Sequence, residues 1–428
     1  MKIKLDKISS LLESNNFLRA LWAELRDKFG KCAWLYQPYK VKNSRAIYLG
    51  LADINQGKGI PISITYTQKT IVSEICFGEE TLQYAEESSE LGQQLKDAVK
   101  KAYHRRNNPD LKILQVPISS IYRSLAPYFG QWFEILPTQH PISLLSVKVK
   151  AFDEIDAKAE ALRVSSYVLD ILSVETNSLF WLLDTEESQD ASSIKVEKLT
   201  CPEANTFVFD EKWMDDEPYC NEYLLISSQA VQFLDRILFK EKLSKEEEAF
   251  IRSCHHFHVG REQDALNNNR LMHVEEQKND EESTTLVIRE DPRFKVAPRF
   301  SRRAEELATV LYMSTIEVAS TINSNPSERC TTCGQQQYKI SARVIDYVKK
   351  YLELEEEHPI LKDFKSYYAK RSKYLHEGIV LRDHSYTGTT IPQLDPSSDA
   401  GVSQTTSVPV INLREWIGYM LRQQLKSM

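Results

Sequence analysis

The chain has 428 residues, 42% of them hydrophobic and 27% charged, and a formal net charge of −7. This length predicts two or three domains, and the composition is typical of a soluble globular protein. The negative net charge argues against a protein that coats nucleic acid non-specifically, although it does not exclude local basic clusters. Seven cysteines scattered along the chain favour reduced thiols over a disulfide framework.

No apolar run approaches the roughly 18 residues that a membrane-spanning helix needs. The N-terminal segment carries charged and polar residues where a signal peptide has its apolar core. We therefore expect a cytoplasmic protein that makes no contact with a membrane.

The first 148 residues predict a small mixed α/β domain, and their pattern does not identify its role. An opening amphipathic helix is expected over residues 5–29, with Gly30 as its end. Segments rich in β-branched and aromatic residues predict strands at 45–53, 61–66, 70–77, 132–136 and 142–149.

Residues 149–285 predict a mainly helical middle region. Helices are expected over residues 151–172, 227–239 and 245–258, with strands at 179–183 and 206–209. Ser244 and Glu247 have the spacing of a capping box at the start of the last helix. The charged stretch 275–285 contains no apolar residue and predicts an exposed linker or long loop.

Residues 286–428 predict a helical bundle, so the fold class expected for the whole chain is α+β. Helices are expected over residues 302–322, 335–354 and 361–377. The face predicted to be buried on the first of them consists of Leu307, Val310, Leu311, Ser314, Val318 and Ile322. A final amphipathic helix is expected to begin at Asn412 as its cap, with Glu415 at the capping-box position.

The helix expected over residues 361–377 has an unusual feature, since an arginine lies in its apolar stripe. At about 100° per residue, Phe364, Tyr367 and Leu375 lie within about 60° of Arg371. His376 follows about 140° further round and about 7.5 Å along the axis. Basic residues run from 362 to 371; the similar runs at 96–106 and 295–303 are more typical of solvated helix faces.

Arginine followed by histidine suits one reaction, the cleavage of RNA by its own 2′-hydroxyl. A guanidinium matches phosphate oxygens, and an imidazole exchanges protons near neutral pH. One helix cannot aim both side chains at one phosphate across that angle, whereas two copies at a dimer interface can. The spacing alone favours a structural arginine and a helix-end histidine, and Arg252 with His258 is a second match.

Three segments resemble the HEPN superfamily, and within it the Apea-like branch found in bacterial proteins linked to phage defence. RSKYLHEG, which begins at Arg371, matches the Arg-polar-x-x-x-His motif of that family, with Ser372 in the polar position. Residues 336–352 resemble the preceding helix, and residues 314–320 resemble an earlier helix that carries a glutamate, here Glu317. The resemblance covers about residues 295–428 and leaves residues 1–148 outside.

The resemblance implies a HEPN-type helical bundle at the end of the chain that dimerises and acts as a metal-independent endoribonuclease without a cofactor. It implies that Arg371 and His376 are catalytic and that Ser372 supports them. Glu317 is either a further catalytic residue or a helix-surface salt-bridge partner. The RNA-binding side chains are expected to be Lys365, Lys370 and Lys373.

The same resemblance implies an antiviral-defence or toxin effector of the abortive-infection kind. The N-terminal domain would then sense a phage-derived or protein trigger. The alternative is a non-catalytic HEPN dimerisation scaffold that binds RNA or a protein partner. In that protein Arg371 is a buried structural ion-pair partner.

Cys330 and Cys333 have the spacing of half a structural zinc site. The other half would have to come from Cys254, His255, His256 or His258. The ordinary alternative is two small residues in a loop between helices. A redox role is less favoured, because no βαβ pattern surrounds the pair.

Overall fold

The computed structural model contains both helices and sheets, which confirms the expected α+β class at that level. Two compact units divide the chain, one of residues Met1–Leu114 and Lys148–Arg163, the other of Gln115–Val147 and Val164–Met428. The sequence-based boundaries near residues 148 and 285 stay predictions. The residues that the structure describes are 1–5, 8–30, 32–33, 37–41, 44–54, 58–67, 70–78, 88–121, 123–138, 141–183, 219–220, 223–240, 242–268, 272–278, 284–290, 303–322, 340–378, 393–394, 402–403 and 410–428.

The elements follow in chain order. The helices are α1 Leu11–Phe29, α2 Glu90–Arg105, α3 Glu154–Thr176, α4 Ser228–Phe239, α5 Lys245–Asn268, α6 Arg303–Ala319, α7 Ile340–Leu352, α8 Pro359–Glu377 and α9 Val410–Lys426. The strands are β1 Lys2–Lys4, β2 Cys32–Ala33, β3 Gln37–Val41, β4 Ser44–Ile54, β5 Lys58–Tyr66, β6 Val72–Phe77, β7 Asp110–Ser120, β8 Tyr128–Phe129, β9 Phe133–Pro137, β10 Ile142–Ala151, β11 Phe180–Leu182, β12 Tyr219–Cys220, β13 Tyr223–Leu224, β14 Met272–Lys278, β15 Thr284–Glu290, β16 Gln393–Leu394 and β17 Val402–Ser403. No helix in these ranges is long and apolar enough to cross a membrane.

The first unit packs two helices with an antiparallel sheet. The sheet has the order β1-β6-β5-β4-β2, and β3 also pairs with β4. Its core combines residues of α1, α2 and the strands, because each element has one apolar face to bury. Core residues include Phe17, Leu21, Ile62, Ile75, Phe77, Leu95 and Ala98.

The expected strands 45–53, 61–66 and 70–77 correspond to β4, β5 and β6, which confirms them. The expected start of the first helix is wrong, because α1 begins only after Ser10. The Ser10 hydroxyl accepts a hydrogen bond from the Glu13 backbone N–H at 3.1 Å, which is the geometry of an N-cap. Strand β1 pairs with β6 instead of joining the helix. Helix α2 and strand β7 were not predicted.

The second unit contains a five-stranded sheet of order β11-β7-β10-β9-β8 and a set of packed helices. Helix α6 packs against α5, α7, α8 and α9, so it lies at the centre of the helical part. Helix α9 also contacts α4, α5 and α7. These contacts bring α5, α6 and α8 together although long stretches of chain separate them.

The capping box expected at the start of α5 is confirmed. The Ser244 backbone N–H donates to Glu247 Oε2 at 2.9 Å, and the Glu247 backbone N–H donates to Ser244 Oγ at 3.1 Å. The capping box expected at Asn412 is wrong, because α9 already begins at Val410. Glu415 instead accepts a hydrogen bond from the Asn177 side chain at 2.5 Å.

The prediction of an exposed linker over residues 275–285 is also wrong, because both ends of this segment lie in strands. Strands β14 and β15 pair there as an antiparallel hairpin, with Val274 opposite Ile288. The prediction considered only the polar residues 275–285 and not the apolar residues on either side of them. Hydrogen bonds between the two strands satisfy the backbone N–H and C=O groups of both. The strand expected at 206–209 lies outside the described residues.

The buried face of α6 matches the face expected from the sequence only in part. Val310 and Ile322 are buried as expected, Leu307 is exposed, and Leu311, Ser314 and Val318 are half-buried. Tyr312, Met313 and Ile316 are buried although they were not expected on this face. The angular spread of apolar residues on this helix allows more than one stripe. The choice among them is made by the helices that pack around α6.

Candidate functional site

Helix α8 carries the arginine and histidine of the predicted motif. His358 caps its start, where Pro359 supplies a helix-compatible backbone angle, and Gly378 ends it in the left-handed conformation at φ 67°. The predicted apolar stripe is present as buried Leu361, Phe364 and Tyr367. It does not extend to Leu375, which is 48% exposed.

Arg371 contacts helix α6, as an ion pair with the glutamate that the resemblance singled out. Arg371 Nη1 lies 2.7 Å from Glu317 Oε2, and the two side chains are 15% and 21% exposed. Arg371 Nη2 also approaches Ser314 Oγ at 3.5 Å. Since residues 314 and 317 are one helical turn apart, α6 presents both polar groups to the guanidinium.

The ion pair between Arg371 and Glu317 is close but incompletely hydrogen-bonded. Within the described part of the chain, Glu317 Oε2 and Arg371 Nε are buried atoms without a hydrogen-bond partner. The 2.7 Å contact is therefore an ion pair whose geometry is not that of a hydrogen bond. The Nε of Arg236, which lies 3.2 Å from Glu247 Oε1, is in the same state, so this feature is not specific to Arg371.

Other polar groups surround this ion pair. Arg343 of α7 donates from Nε to Ser320 Oγ at 3.1 Å. Burial raises the pKa of Tyr368, and the nearby Glu317 carboxylate raises it further, while Arg371 and Arg343 oppose the change. The tyrosine is therefore a neutral hydroxyl beside the arginine.

His376 and the basic residues of α8 lie away from the ion pair. His376 and Lys373 are exposed, and Lys365 is exposed one and a half turns before Arg371. Lys370 is half-buried, with its ammonium 5.3 Å from the centroid of the Tyr367 ring. The structure thus brings together Arg371, Glu317 and Ser314; Ser372 is half-buried, and His376 has no contact with Arg371 among the described ones.

Helix α5 carries His256, which the sequence suggested only as a zinc ligand. Burial lowers the pKa of His256 most, and the positive charges of His255, Arg252 and Arg371 lower it further, against the effect of the Ser314 backbone. His256 Nδ1 is buried with no hydrogen-bond partner among the described residues. The sequence signal for this histidine was the His255–His256 doublet in a helical segment.

A buried carboxylate on α3 holds the two neighbouring histidines of α5. Asp170 Oδ2 lies 3.1 Å from His255 Nδ1, and Asp170 Oδ1 lies 2.8 Å from His258 Nδ1. His258 Nε2 lies 2.9 Å from the Phe180 carbonyl oxygen. Burial raises the pKa of Asp170, but the hydrogen bonds from His255 and His258 outweigh it, and the net shift is downward.

These contacts explain the second arginine–histidine match of the sequence. His258 is buried between Asp170 and Phe180, while Arg252 is exposed and lies 3.8 Å from Glu248 one turn earlier on the same helix. A buried histidine and an exposed arginine do not form one site. This match is therefore structural.

The zinc hypothesis depends on Cys330 and Cys333, which lie outside the described residues. Among the described ones, no group of three or more His, Cys, Asp or Glu residues could hold a metal ion. Cys254 is buried, and burial raises the pKa of its thiol. His255 and His258 are both engaged with Asp170.

The basic run 96–106 lies on α2 and its end, where Arg105 pairs with Glu24 at 2.7 Å. This pairing agrees with an ordinary helix face. Of the run 295–303, only Arg303 is described.

Comparison with known proteins adds nothing to this geometry: no family model matches the sequence, and no curated protein or solved structure is significantly similar to it.

Proposed function

We propose that the helical part of the second unit is an endoribonuclease of HEPN type whose phosphate-binding group is Arg371. The observation that supports this most directly is the incomplete hydrogen bonding of Arg371, whose Nε is buried and unpartnered among the described residues. Arg236, which pairs with Glu247, has the same unpartnered Nε, so this feature supports the proposal only together with the resemblance of α8 to the HEPN motif. A phosphate oxygen, with its negative charge and several lone pairs, is the natural acceptor for the remaining donor.

In this reaction the 2′-hydroxyl of RNA attacks the adjacent phosphorus. The guanidinium of Arg371 stabilises the extra negative charge on the phosphate oxygens in the transition state. His376, exposed in the last turn of the same helix, transfers a proton at the site formed with a second copy of the chain. Ser372 supports Arg371, and Lys365, Lys370 and Lys373 bind the flanking RNA backbone. DNA lacks the attacking hydroxyl and is not a substrate.

The biological role that accompanies this activity is an antiphage or toxin effector. Its support is the resemblance of residues 295–428 to the Apea-like branch. The first unit then carries the surface that responds to a trigger. No metal or cofactor is required, because the arginine and the proton-transferring histidines supply the chemistry.

A second candidate function has its own supporting observation. The 2.7 Å contact between Arg371 and Glu317, at 15% and 21% exposure, is also what a non-catalytic dimerisation scaffold needs to hold α6 against α8. In that protein the carboxylate is the permanent partner of the guanidinium. RNA or a protein partner would then bind without being changed.

The decisive experiment incubates the full-length protein with RNA in EDTA. The wild type is compared with Arg371→Ala and His376→Ala, and with the exposed-residue controls Arg163→Ala and His104→Ala in the first unit. We expect cleavage to 2′,3′-cyclic phosphate ends, lowered by about 100-fold or more in each site variant and unchanged in the controls.

Equal residual cleavage in all five proteins would assign the activity to a contaminant. Binding of RNA without cleavage would support the scaffold.

A further inference from the structure

A buried carboxylate of α3 and a buried imidazole of α5 are in direct contact. The side chains of Asp170 and His258 are only 5% and 7% exposed, and Asp170 Oδ1 lies 2.8 Å from His258 Nδ1. On the other side of the ring, His258 Nε2 lies 2.9 Å from the carbonyl oxygen of Phe180 in β11. One imidazole thus joins α5 both to α3 and to a strand of the five-stranded sheet.

The acceptors around His258 determine which of its ring nitrogens carry protons. A carbonyl oxygen can only accept a hydrogen bond, so Nε2 carries the proton of the contact with Phe180. A neutral imidazole has a single N–H, and its Nδ1 would then be an acceptor that faces the Asp170 oxygen. An ionised carboxylate also only accepts, so the 2.8 Å contact requires a second proton between Nδ1 and Oδ1.

The ionisation of Asp170 indicates that this second proton belongs to the imidazole. The other carboxylate oxygen, Oδ2, lies 3.1 Å from His255 Nδ1. Burial raises the pKa of Asp170, but the hydrogen bonds from His255 and His258 outweigh it, and the net shift is downward. The carboxylate is therefore ionised near neutral pH, and its buried partner His258 is an imidazolium with protons on both ring nitrogens.

The other titratable groups around this pair are His255, Glu262 and Cys254 of α5 and Glu175 of α3. The hydrogen bond to Asp170 raises the pKa of His255 most, against the effect of burial. Burial is the largest cause that raises the pKa of the Glu262 carboxyl and of the Cys254 thiol, and the charge of Glu175 adds to the shift of the thiol. In the described part of the chain, no hydrogen bond or ion pair joins the buried imidazole to α6 or α9, which also pack against α5. The carboxylate of α3 is thus its charge partner.

We propose that Asp170 and His258 form a pH-sensitive latch, which holds α5 to α3 and β11 only while both ring nitrogens of His258 are protonated. Loss of the Nδ1 proton leaves a lone pair and a carboxylate oxygen facing each other at 2.8 Å in a buried position. Such a contact costs free energy, and movement of α5 away from α3 relieves it. The latch does not depend on the ribonuclease proposal. It bears on the candidate site because α5 packs against α6, the helix that brings Glu317 and Ser314 to Arg371.

The acidic and alkaline sides of this pH dependence have different causes. The pKa of Asp170 is lowered in the folded chain, so its contribution to stability is present above its ordinary pKa and is lost as the pH falls through the lowered value. The pKa of His255 is raised, so its contribution is complete below the ordinary value of about 6.5 and is lost as the pH rises through the raised value. Loss of the Nδ1 proton of His258 acts in the same direction as this second loss. The latch is therefore closed from mildly acidic to neutral pH and opens on the alkaline side.

The test compares amide hydrogen exchange in the wild type and in Asp170→Asn as a function of pH. Asparagine keeps the shape, its amide donates a hydrogen bond to the Nδ1 of a neutral His258, and its carbonyl still accepts one from His255. In the wild type we expect the protection factors of the α5 and β11 amides to fall by about tenfold per pH unit once the His258 proton is lost. In Asp170→Asn they should stay constant over the same range. His104→Gln, at an exposed position of the first unit, is the control and should follow the wild type.

A second measurement needs no variant. In wild-type protein with isotopically labelled histidine, NMR reports the protonation of each ring nitrogen. We expect both nitrogens of His258 to carry protons in the folded chain, and the Nδ1 proton to be lost only together with the protection of α5. In Asp170→Asn the same ring should be neutral, with its proton on Nε2.

Three results would overturn the latch. The first is loss of a ring proton from His258 while the α5 amides stay protected, and the second is an equal pH dependence of α5 protection in the wild type and in Asp170→Asn. The third is a neutral His258 in the folded wild type at every pH, and this spectrum decides the question even if the variant does not fold. None of these results affects the RNA-cleavage test of Arg371 and His376, so the two proposals fail separately.

Discussion

Two clusters of arginine and carboxylate residues in the second unit differ in how completely their polar atoms are hydrogen-bonded. At the junction of α5 and α9, Asn177 accepts hydrogen bonds from Arg261 and donates to Glu415. Arg414 Nε donates to Glu415 Oε1 at 2.9 Å, and Arg414 Nη1 lies 3.5 Å from Asp264. At the junction of α6 and α8, Arg371 meets Glu317 with atoms left unpartnered.

The difference shows how to distinguish structural from functional charge in one helical bundle. Burial lowers the pKa of Arg261 to about 10, with Arg414 as the next cause. Such a desolvated charge is tolerated only with hydrogen-bond partners, which Asn177 supplies. Arg371 has the ion pair with Glu317 and the 3.5 Å contact with Ser314, and its Nε is without a hydrogen-bond partner among the described residues. We therefore expect the first cluster to control stability and the second to control activity.

Removing the buried arginine should have the largest effect on stability. Arg261→Ala leaves the carbonyl and side-chain oxygens of Asn177 without their donor and removes a positive charge near Asp264 and Glu415, and we expect a loss of about 3–5 kcal/mol in the free energy of unfolding. Urea denaturation followed by circular dichroism measures it. Arg163→Ala, an exposed arginine paired with Glu160 on its own helix, is the control and should change stability by about 0.5 kcal/mol or less. A loss below about 1 kcal/mol for Arg261→Ala would contradict the structural role.

A smaller effect is expected where α5, which carries Arg261 of the first cluster, and α6, which carries Glu317 of the second, approach each other closely. A Cβ added at Gly260 would lie 2.9 Å from Tyr312 Cε1 and 3.0 Å from its Cδ1. Overpacking of about 1–3 kcal/mol opposes the helix-propensity gain of alanine over glycine, about 1 kcal/mol. Gly260→Ala should thus lower the urea midpoint.

Gly418→Ala is the matched control for this packing. Its added Cβ would meet Phe257 Cζ at 3.1 Å and the flexible Arg422 side chain at 3.3 Å. We expect a smaller change in the midpoint than for Gly260→Ala. An increase in stability for Gly260→Ala would show that the two helices are not in tight contact there.

The smallest effect on stability should come from the ion pair of the candidate site. Glu317→Gln keeps the shape and removes the charge, and we expect a change of about 1 kcal/mol or less because the pair is partly exposed and poorly aligned. The isosteric comparison is Glu415→Gln, at similar exposure, where the carboxylate accepts hydrogen bonds from Asn177 and Arg414 and their loss should cost about 2–3 kcal/mol. Equal losses in the two variants, measured by urea denaturation, would remove the distinction between the clusters.

Local structure in the helices could largely be predicted from the sequence. The capping box of Ser244 and Glu247, the end of α8 at Gly378 and the arginine in the apolar stripe depend on residues within one or two turns of each other. Such interactions are encoded by spacing along the chain. The strands β4, β5 and β6 were predictable for the same reason, since composition and turn residues are local signals.

Predictions were wrong where the structure depends on residues that are distant in the sequence. The start predicted for α9 at Asn412 was wrong, and Glu415 proved to be a partner of Asn177 across the fold. The hairpin of β14 and β15 was taken for a linker, because hydrogen bonds between strands do not depend on the polarity of the residues that make them. The buried face of α6 was misjudged for a related reason, since its neighbours choose which stripe is covered.

By itself, therefore, the sequence determined that α8 places Arg371 on an apolar face and ends just after His376. The tertiary structure alone decided that Glu317 and Ser314 of α6 contact the arginine. The physical reason is that helical periodicity sets the direction of a side chain around its own axis. Which helix lies in that direction depends on packing the apolar faces of the whole unit.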